Sequence, residues 1–207
     1  MQNNKHFDLW AKNYDAEVNV TDNNNEYPLA GYKKVLGATY NRVMQKAPAR
    51  VLDIGIGTGT LSRKLYEQGN YITGIDFSDE MLNISRQHMP DAELIQWDFT
   101  KGLPQNLGKF DFVISTYALH HLTDAEKCEF IPLLLNHLDD RGVIIIGDVG
   151  FENRELLEEC KVAAADDWDD EESYFVLSDL RDNLVDICQL YFHKYSHCSG
   201  ILLITHK

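Results

Sequence analysis

Arg50-Val-Leu-Asp-Ile-Gly-Ile-Gly-Thr-Gly-Thr60 is a short apolar run that stops on a cluster of glycines. Val51 to Ile54 have the composition of a strand buried on both faces, and glycines let the backbone turn sharply out of it. A helix is predicted next, from Leu61 to Gln68, closed by Gly69. Tyr71 to Asp76 is a second strand, and Ser78 can cap a helix that must finish before Pro90. Further strands follow at Glu93 to Gln96, Phe110 to Ser115 and Gly142 to Gly147. Between the last two, Thr123 and Glu126 have capping-box spacing, and Pro132 should kink or split the helix they start. Upstream, Leu29, Tyr32, Leu36, Tyr40 and Val43 mark one face of a helix over Leu29 to Ala47, ended by Pro48.

Strand–helix alternation in this order predicts parallel strands joined by right-handed crossovers, a doubly wound α/β architecture. The last third departs from it. Asn153 to Ala165 reads as a helix, and an acidic run follows at Asp166 to Glu172. Two β-rich runs, Ile187 to Tyr195 and Ile201 to Thr205, then suggest an antiparallel hairpin at the sheet edge. No repeat or linker divides the chain. The expectation is one domain over 1–207: a helical lid or cap at 1–48 and a core at 49–207.

Composition removes several functions. The 207 residues carry 33 Asp plus Glu against 19 Lys plus Arg, a net charge of −14. Nucleic acid and anionic membrane surfaces select for the opposite sign, so neither is an expected partner. Met1 to Trp10 lacks the apolar stretch of a secretory signal, and no run reaches the ~20 apolar residues of a membrane span. The four cysteines, Cys128, Cys160, Cys188 and Cys198, lack ligand spacing. They read as reduced thiols of a cytoplasmic protein.

The glycine loop restricts the ligand. A dinucleotide fingerprint is G-x-G-x-x-G or A. Here the third glycine, Gly59, comes one residue early, and Thr60 stands where Gly or Ala belongs. No Gly-Lys-Ser/Thr follows, so this is not a triphosphate-binding loop. Asp53, just before Gly55, would repel a pyrophosphate but suits a ligand carrying an ammonium and a second positive charge. Asp76 ends the second strand about 20 residues after Gly55, the offset of a ribose-binding acid. Its other reading is an acid at a helix start.

Val51 to Gly59 resembles the first motif of class I S-adenosylmethionine-dependent methyltransferases, small-molecule type. Gly74 to Ser78 is similar to their second-strand motif, whose acid binds the ribose hydroxyls, and Trp97-Asp98-Phe99 to the segment whose Asp meets the adenine amino group. Phe110 to Ser115 with Ala118 to Leu122 resembles the fourth motif, and Leu9 to Asp15 an amino-terminal segment of many members. The resemblance runs from Phe7 to Asp148. It implies a Rossmann-like sheet of seven strands, mostly parallel, with an antiparallel carboxyl-terminal strand. It also implies S-adenosylmethionine as donor, S-adenosylhomocysteine as product, and a small-molecule acceptor. The implied donor-binding set is Tyr14, Asp53, Gly55, Gly57, Gly59, Asp76, Phe77, Asp98, Phe99 and Ser115. Asp139-Asp-Arg-Gly142 departs from the Pro-Gly-Gly turn of many relatives.

Several side chains keep two readings. Phe77 and Phe99 either sandwich an adenine or belong to the core. Tyr14 and Trp10 either close a lid over the donor or anchor the leading segment. His120 and His121 are the candidate general bases. Adjacent histidines point apart, however, so one at most should face the cavity. With no i, i+4 spacing and no third ligand, they are not expected to hold a metal. The acidic run is either solvated or a cation-attracting rim. For the whole chain, methyl transfer by in-line displacement stands beside two alternatives: a nicotinamide-dependent oxidoreductase, and a non-catalytic binder of the same donor.

Overall fold

The computed structural model describes residues 25–207. Tyr14 and Trp10, and with them the lid expectation, lie outside the described residues. Helix α1 spans Tyr32–Met44, followed by β1 (Arg50–Ile54), α2 (Ser62–Glu67), β2 (Tyr71–Asp76), α3 (Asp79–His88), β3 (Glu93–Gln96) and β4 (Phe110–Thr116). Then come α4 (Asp124–Leu135), β5 (Leu138–Phe151), α5 (Arg154–Ala164), β6 (Phe175–Val176), α6 (Leu177–Leu184), β7 (Cys188–Lys194) and β8 (Ser199–His206). The strand order is β3-β2-β1-β4-β5-β8-β7, with the short β6 beside the end of β5. Strands β1 to β5 pair in parallel, and β8 lies antiparallel to both β5 and β7. The doubly wound sheet with its carboxyl-terminal hairpin is the predicted architecture, with β6 as an addition.

The central strands are apolar because both their faces are covered. Val51, Phe112, Ile114, Val143 and Ile145 pack under Val35, Val43, Leu65 and Leu82 of α1, α2 and α3. On the other face Leu52, Ile54, Val113, Ile144 and Ile146 meet Phe130, Ile131 and Leu134 of α4 and Leu180 and Leu184 of α6. Edge strand β7 keeps the alternation of a half-covered strand, with Cys188 and Leu190 inward and Gln189 and Tyr191 outward.

Three local expectations change. α1 buries Tyr32, Val35, Thr39 and Val43 rather than the face through Leu36 and Tyr40. Val35 takes the space above Gly147, and the Thr39 hydroxyl donates to the Val35 carbonyl at 3.0 Å, so a polar side chain enters the core satisfied. Leu36 faces a cavity instead. Of the kink or split expected at Pro132, the split does not occur: α4 runs on to Leu135 with Phe130, Ile131 and Leu134 buried around it. Packing of the apolar face outweighs the one missing backbone donor. Finally, β5 starts at Leu138. Pairing with β4 jumps from Phe110↔Leu138 to Phe112↔Val143, so Asp139 to Gly142 form a bulge rather than a turn. Arg50 holds the bulge through Asp139 at 2.6 Å.

The capping box is present: the Thr123 side chain accepts from the Glu126 amide, and the Glu126 carboxylate accepts from the Thr123 amide at 2.8 Å. Thr123→Ala should lower stability by about 1 kcal/mol, read from the midpoint of urea unfolding. An unmoved midpoint would mean that the box adds nothing to α4.

Candidate functional site

The chain leaves β1 on one side through β2 and β3, then returns to β4 on the other. This reversal opens a crevice at the carboxyl ends of the strands, where ligands bind in open α/β sheets. A cavity of about 510 Å³ occupies it. Its walls come from the ends of β1, β2 and β4, from α1 with Pro28 and Leu29 before it, and from the acidic segment after α5. Its size is that of a small-molecule site.

The glycine loop lies against this cavity, and its three glycines do different work. Gly55 has φ 72°, and a Cβ there would lie 2.5 Å from the Ala118 Cβ. Its amide and that of Ile56 both donate to the Ile75 carbonyl, at 2.8 and 3.1 Å, which ties the loop to β2. Gly57 has φ 55° with nothing within 4 Å of where a Cβ would sit, and it lines the cavity. Gly59 is absent from the cavity wall. A Cβ there would come within 2.8 Å of the Met89 Cε and 2.9 Å of the Ser85 Oγ. It is a packing glycine that brings α3 close to the loop.

Two carboxylates stand beside the loop. Asp53 is 3 % exposed; its Oδ2 accepts from the Ser62 hydroxyl at 2.6 Å, and its Oδ1 has no hydrogen-bond partner. Burial pushes its pKa up to about 7, opposed by the Ser62 bond and reinforced by the charge of Asp76. Asp76 accepts from the Gly57 amide at 2.8 Å and the Ser78 amide at 2.9 Å. Burial raises its pKa too, against the pull of those amides. Asp76 therefore fastens the loop to the start of α3, where Ser78 caps through the Met81 amide, and it also lines the cavity. The helix-start reading of Asp76 is met by the Ser78 amide, and its place in the cavity wall keeps the ribose reading open.

The remaining expected residues divide. Phe77 is a half-buried part of the cavity wall. Phe99 is a core residue packed on Phe130, with ring centroids 6.1 Å apart, that also reaches the cavity. Asp98 is not among the lining residues. Its Oδ1 accepts from the Thr100 amide and hydroxyl at 3.1 and 2.6 Å, and its Oδ2 pairs with Lys101 at 2.9 Å. Ser115 is also absent from the wall; its hydroxyl donates to the Ile54 carbonyl at 2.9 Å and stitches β4 to β1. Thr116 and Tyr117, the next residues along, face the cavity.

The far end is polar. After β4 the chain makes a 3₁₀ turn over Leu119–His121, and both histidines line the cavity. The expectation that they point apart is corrected, since their rings meet edge to face with centroids 4.3 Å apart. His120 Nδ1 lies 2.9 Å from Asp148 Oδ1, and its Nε2 lies 3.5 Å from Glu172 Oε1. Burial lowers the His120 pKa, but the charge and hydrogen bond of Asp148 and the charge of Glu172 raise it more, so the net shift is upward. Burial and then the neighbouring His120 hold His121 down to about 4. Asp148 and Glu172 were missed as individual site residues. The signal for Asp148 was its place at the carboxyl end of the strongest strand. Of the acidic run, Asp169 and Glu172 line the cavity, while Asp166 and Asp167 are exposed.

A family model described as a methyltransferase domain matches residues 51–142. An uncharacterized methyltransferase of Alkaliphilus oremlandii (strain OhILAs) is 34% identical over 157 residues, covering 75% of this chain and 71% of the relative. Another, of Geobacillus sp. (strain WCH70), is 37% identical over 153 residues, covering 73% and 70%. Among solved structures, the magnesium protoporphyrin IX methyltransferase of Synechocystis PCC 6803 with bound S-adenosylhomocysteine is similar at TM-score 0.67 and 20% identity, covering 86% and 85%. A complex of DhpI with S-adenosylmethionine reaches TM-score 0.70 at 17% identity, covering 97% and 94%. At such identities the two structures speak for the fold alone.

Proposed function

The chain belongs to the class I S-adenosylmethionine-dependent methyltransferases, and from that premise we propose that it methylates a small molecule in the cavity above β1 and β4. The observation that carries the proposal is the orphaned, buried Oδ1 of Asp53 beside the side-chain-free Gly55 and Gly57. A carboxylate oxygen without a donor is costly in a finished core, and a cationic ligand relieves that cost. The residues fit the donor. Asp53 would face its positive charges and Asp76 its ribose hydroxyls, Gly57 would let the backbone approach, and Phe77 with Phe99 would offer apolar surface to a base.

Bound S-adenosylmethionine supplies a methyl group on a sulfonium, open to displacement by a nucleophile in line with the departing sulfur. The protein's part is to position and desolvate the pair. Asp53 and Asp76 favour the charged donor over the neutral product, and we assign neither any proton chemistry. Removal of the acceptor's proton falls to the opposite end, where His120 and His121 stand and Asp148 fixes the ring of His120. The net charge of −14 and the Asp169–Glu172 rim favour a neutral or cationic acceptor over an anionic one. We place the enzyme in the cytoplasm on its four free thiols.

Turnover with isotopically labelled S-adenosylmethionine against a metabolite panel tests the proposal. Label appearing in a small acceptor supports it; tight donor binding with transfer to none makes the chain a non-catalytic binder. Asp76→Ala should weaken donor affinity by about 1–3 kcal/mol in calorimetry, the loss of a charge-assisted acceptor. Unaltered affinity would remove Asp76 from the site.

A further inference from the structure

We propose that His120, His121 and Glu172 bind a divalent transition-metal cation at the acceptor end of the cavity, leaving one coordination position open toward the donor. The inference rests on the methyltransferase reading and gives that end of the site its chemistry. One ligand atom from each of the three lies within 4.8 Å of the others. The 3.5 Å between His120 Nε2 and Glu172 Oε1 is too long for a good hydrogen bond. It is close to the ~3.3 Å that separates two ligands of a tetrahedral cation with bonds of about 2.0–2.1 Å.

The surroundings are those of a built site. A metal-bound histidine normally donates its second ring nitrogen to a carboxylate, and His120 Nδ1 meets Asp148 Oδ1 at 2.9 Å. Asp148 is itself held, since the same oxygen accepts from the Val149 amide at 2.8 Å. Glu172 is held as well: the Tyr174 hydroxyl donates to its Oε2 at 2.8 Å, which leaves Oε1 toward the histidines. The segment that carries Glu172 is stapled to the histidine turn. The Ser173 amide donates to the His120 carbonyl at 2.8 Å. The buried Lys127 ammonium bridges the Leu122 and Ser173 carbonyls at 2.6 and 2.5 Å. The third ligand missing from the local sequence therefore arrives from the acidic run.

Two imidazoles and one carboxylate with an open position suit zinc, cobalt, nickel or ferrous iron, and are a poor set for magnesium or calcium. The open position takes a thiol or hydroxyl acceptor. The cation lowers its pKa, and with both imidazoles held as ligands the acceptor's proton leaves to solvent instead of to a histidine. The resulting lone pair forms the bond to the methyl carbon as the carbon–sulfur bond breaks and its electrons go to sulfur. The products are the methylated acceptor, the neutral thioether nucleoside and the released proton.

The test uses the full chain, dialysed against chelator and titrated with zinc(II) by calorimetry and with cobalt(II) by visible absorption, donor affinity being measured separately. One equivalent should bind. His121→Ala and the isosteric Glu172→Gln should weaken binding more than about 100-fold, and Asp148→Asn by about 10- to 100-fold. Cys160, His197 and Cys198 form another group with ligand atoms this close, so Cys160→Ser/Cys198→Ser is the control and should bind like wild type. Wild-type protein that binds the donor but no metal overturns this proposal and leaves the methyltransferase reading intact. Wild-type metal affinity in His121→Ala and Glu172→Gln, or loss confined to the cysteine variant, overturns it too. A chain that binds no donor overturns the reading beneath it.

Discussion

At pH 8 the Asp53→Asn variant should unfold at higher urea than wild type and yet bind S-adenosylmethionine about 10- to 100-fold more weakly. Both effects come from one buried oxygen. Asp53 has a pKa of about 7 in the folded chain against an ordinary 3.8, with burial the main cause. Between about pH 4 and 7 the folded state therefore holds a proton that the unfolded state has lost. Stability falls as pH rises across that window, and the loss is complete above 7. At about 1.4 kcal/mol per pKa unit the cost reaches roughly 4 kcal/mol at pH 8. An amide of the same shape removes the charge and most of this cost. Urea midpoints at pH 8 and pH 4 read the effect, with the gain present at 8 and absent at 4.

Donor affinity should move in the opposite sense. A cationic ligand favours the ionised carboxylate, so below pH 7 binding must first expel a proton. Wild-type affinity should fall by up to about tenfold per pH unit there, while the asparagine variant falls less steeply, keeping only the dependence that Asp76 contributes. A variant that is neither more stable at pH 8 nor weaker in binding would mean that Asp53 is neutral in the working enzyme.

The glycine pair gives the second large effect. Gly55→Ala places a methyl group 2.5 Å from the Ala118 Cβ at a φ of 72°. Left-handed strain of about 1–2 kcal/mol adds to an overpacking cost of about 1–3, so stability should drop by about 2–5 kcal/mol. Gly57→Ala meets open space and carries only the backbone term, so it should lose about 1–2 kcal/mol and no overpacking cost. Its new methyl group, however, projects at the cavity wall, and the donor should bind at least about tenfold more weakly. The pair separates a glycine required by the fold from one required by the ligand. Equal losses of stability in the two variants, with donor affinity unaffected in Gly57→Ala, would contradict that division.

Local signals in the sequence were enough for most of the fold. The apolar run before Gly55, the Ser78 cap and the Thr123–Glu126 box each act within a few residues, and each forms as predicted. What depended on distant partners was not legible. Thr39 is buried because its own helix satisfies its hydroxyl and Gly147 makes room for Val35 beside it. The Asp139 bulge depends on Arg50, and Pro132 is tolerated because of its buried neighbours. The site divides in the same way. Asp53, Gly55, Gly57 and Asp76 lie on one loop and the strand beside it, so local pattern, charge and family resemblance were enough to single out residues that the structure brings to one cavity. Asp98 and Ser115 matched a pattern, but their side chains are engaged by Thr100, Lys101 and Ile54. Glu172 reaches the histidines only through tertiary folding, and nothing near them in the chain announces it.

The central claim is that the glycine loop and its two acids hold a positively charged nucleoside. Crystals soaked with S-adenosylmethionine test it most directly. The account predicts the donor above Gly55 and Gly57, with its charged end at Asp53 and its ribose at Asp76. A donor found elsewhere, or a nicotinamide dinucleotide seated in that loop with S-adenosylmethionine excluded, would contradict it.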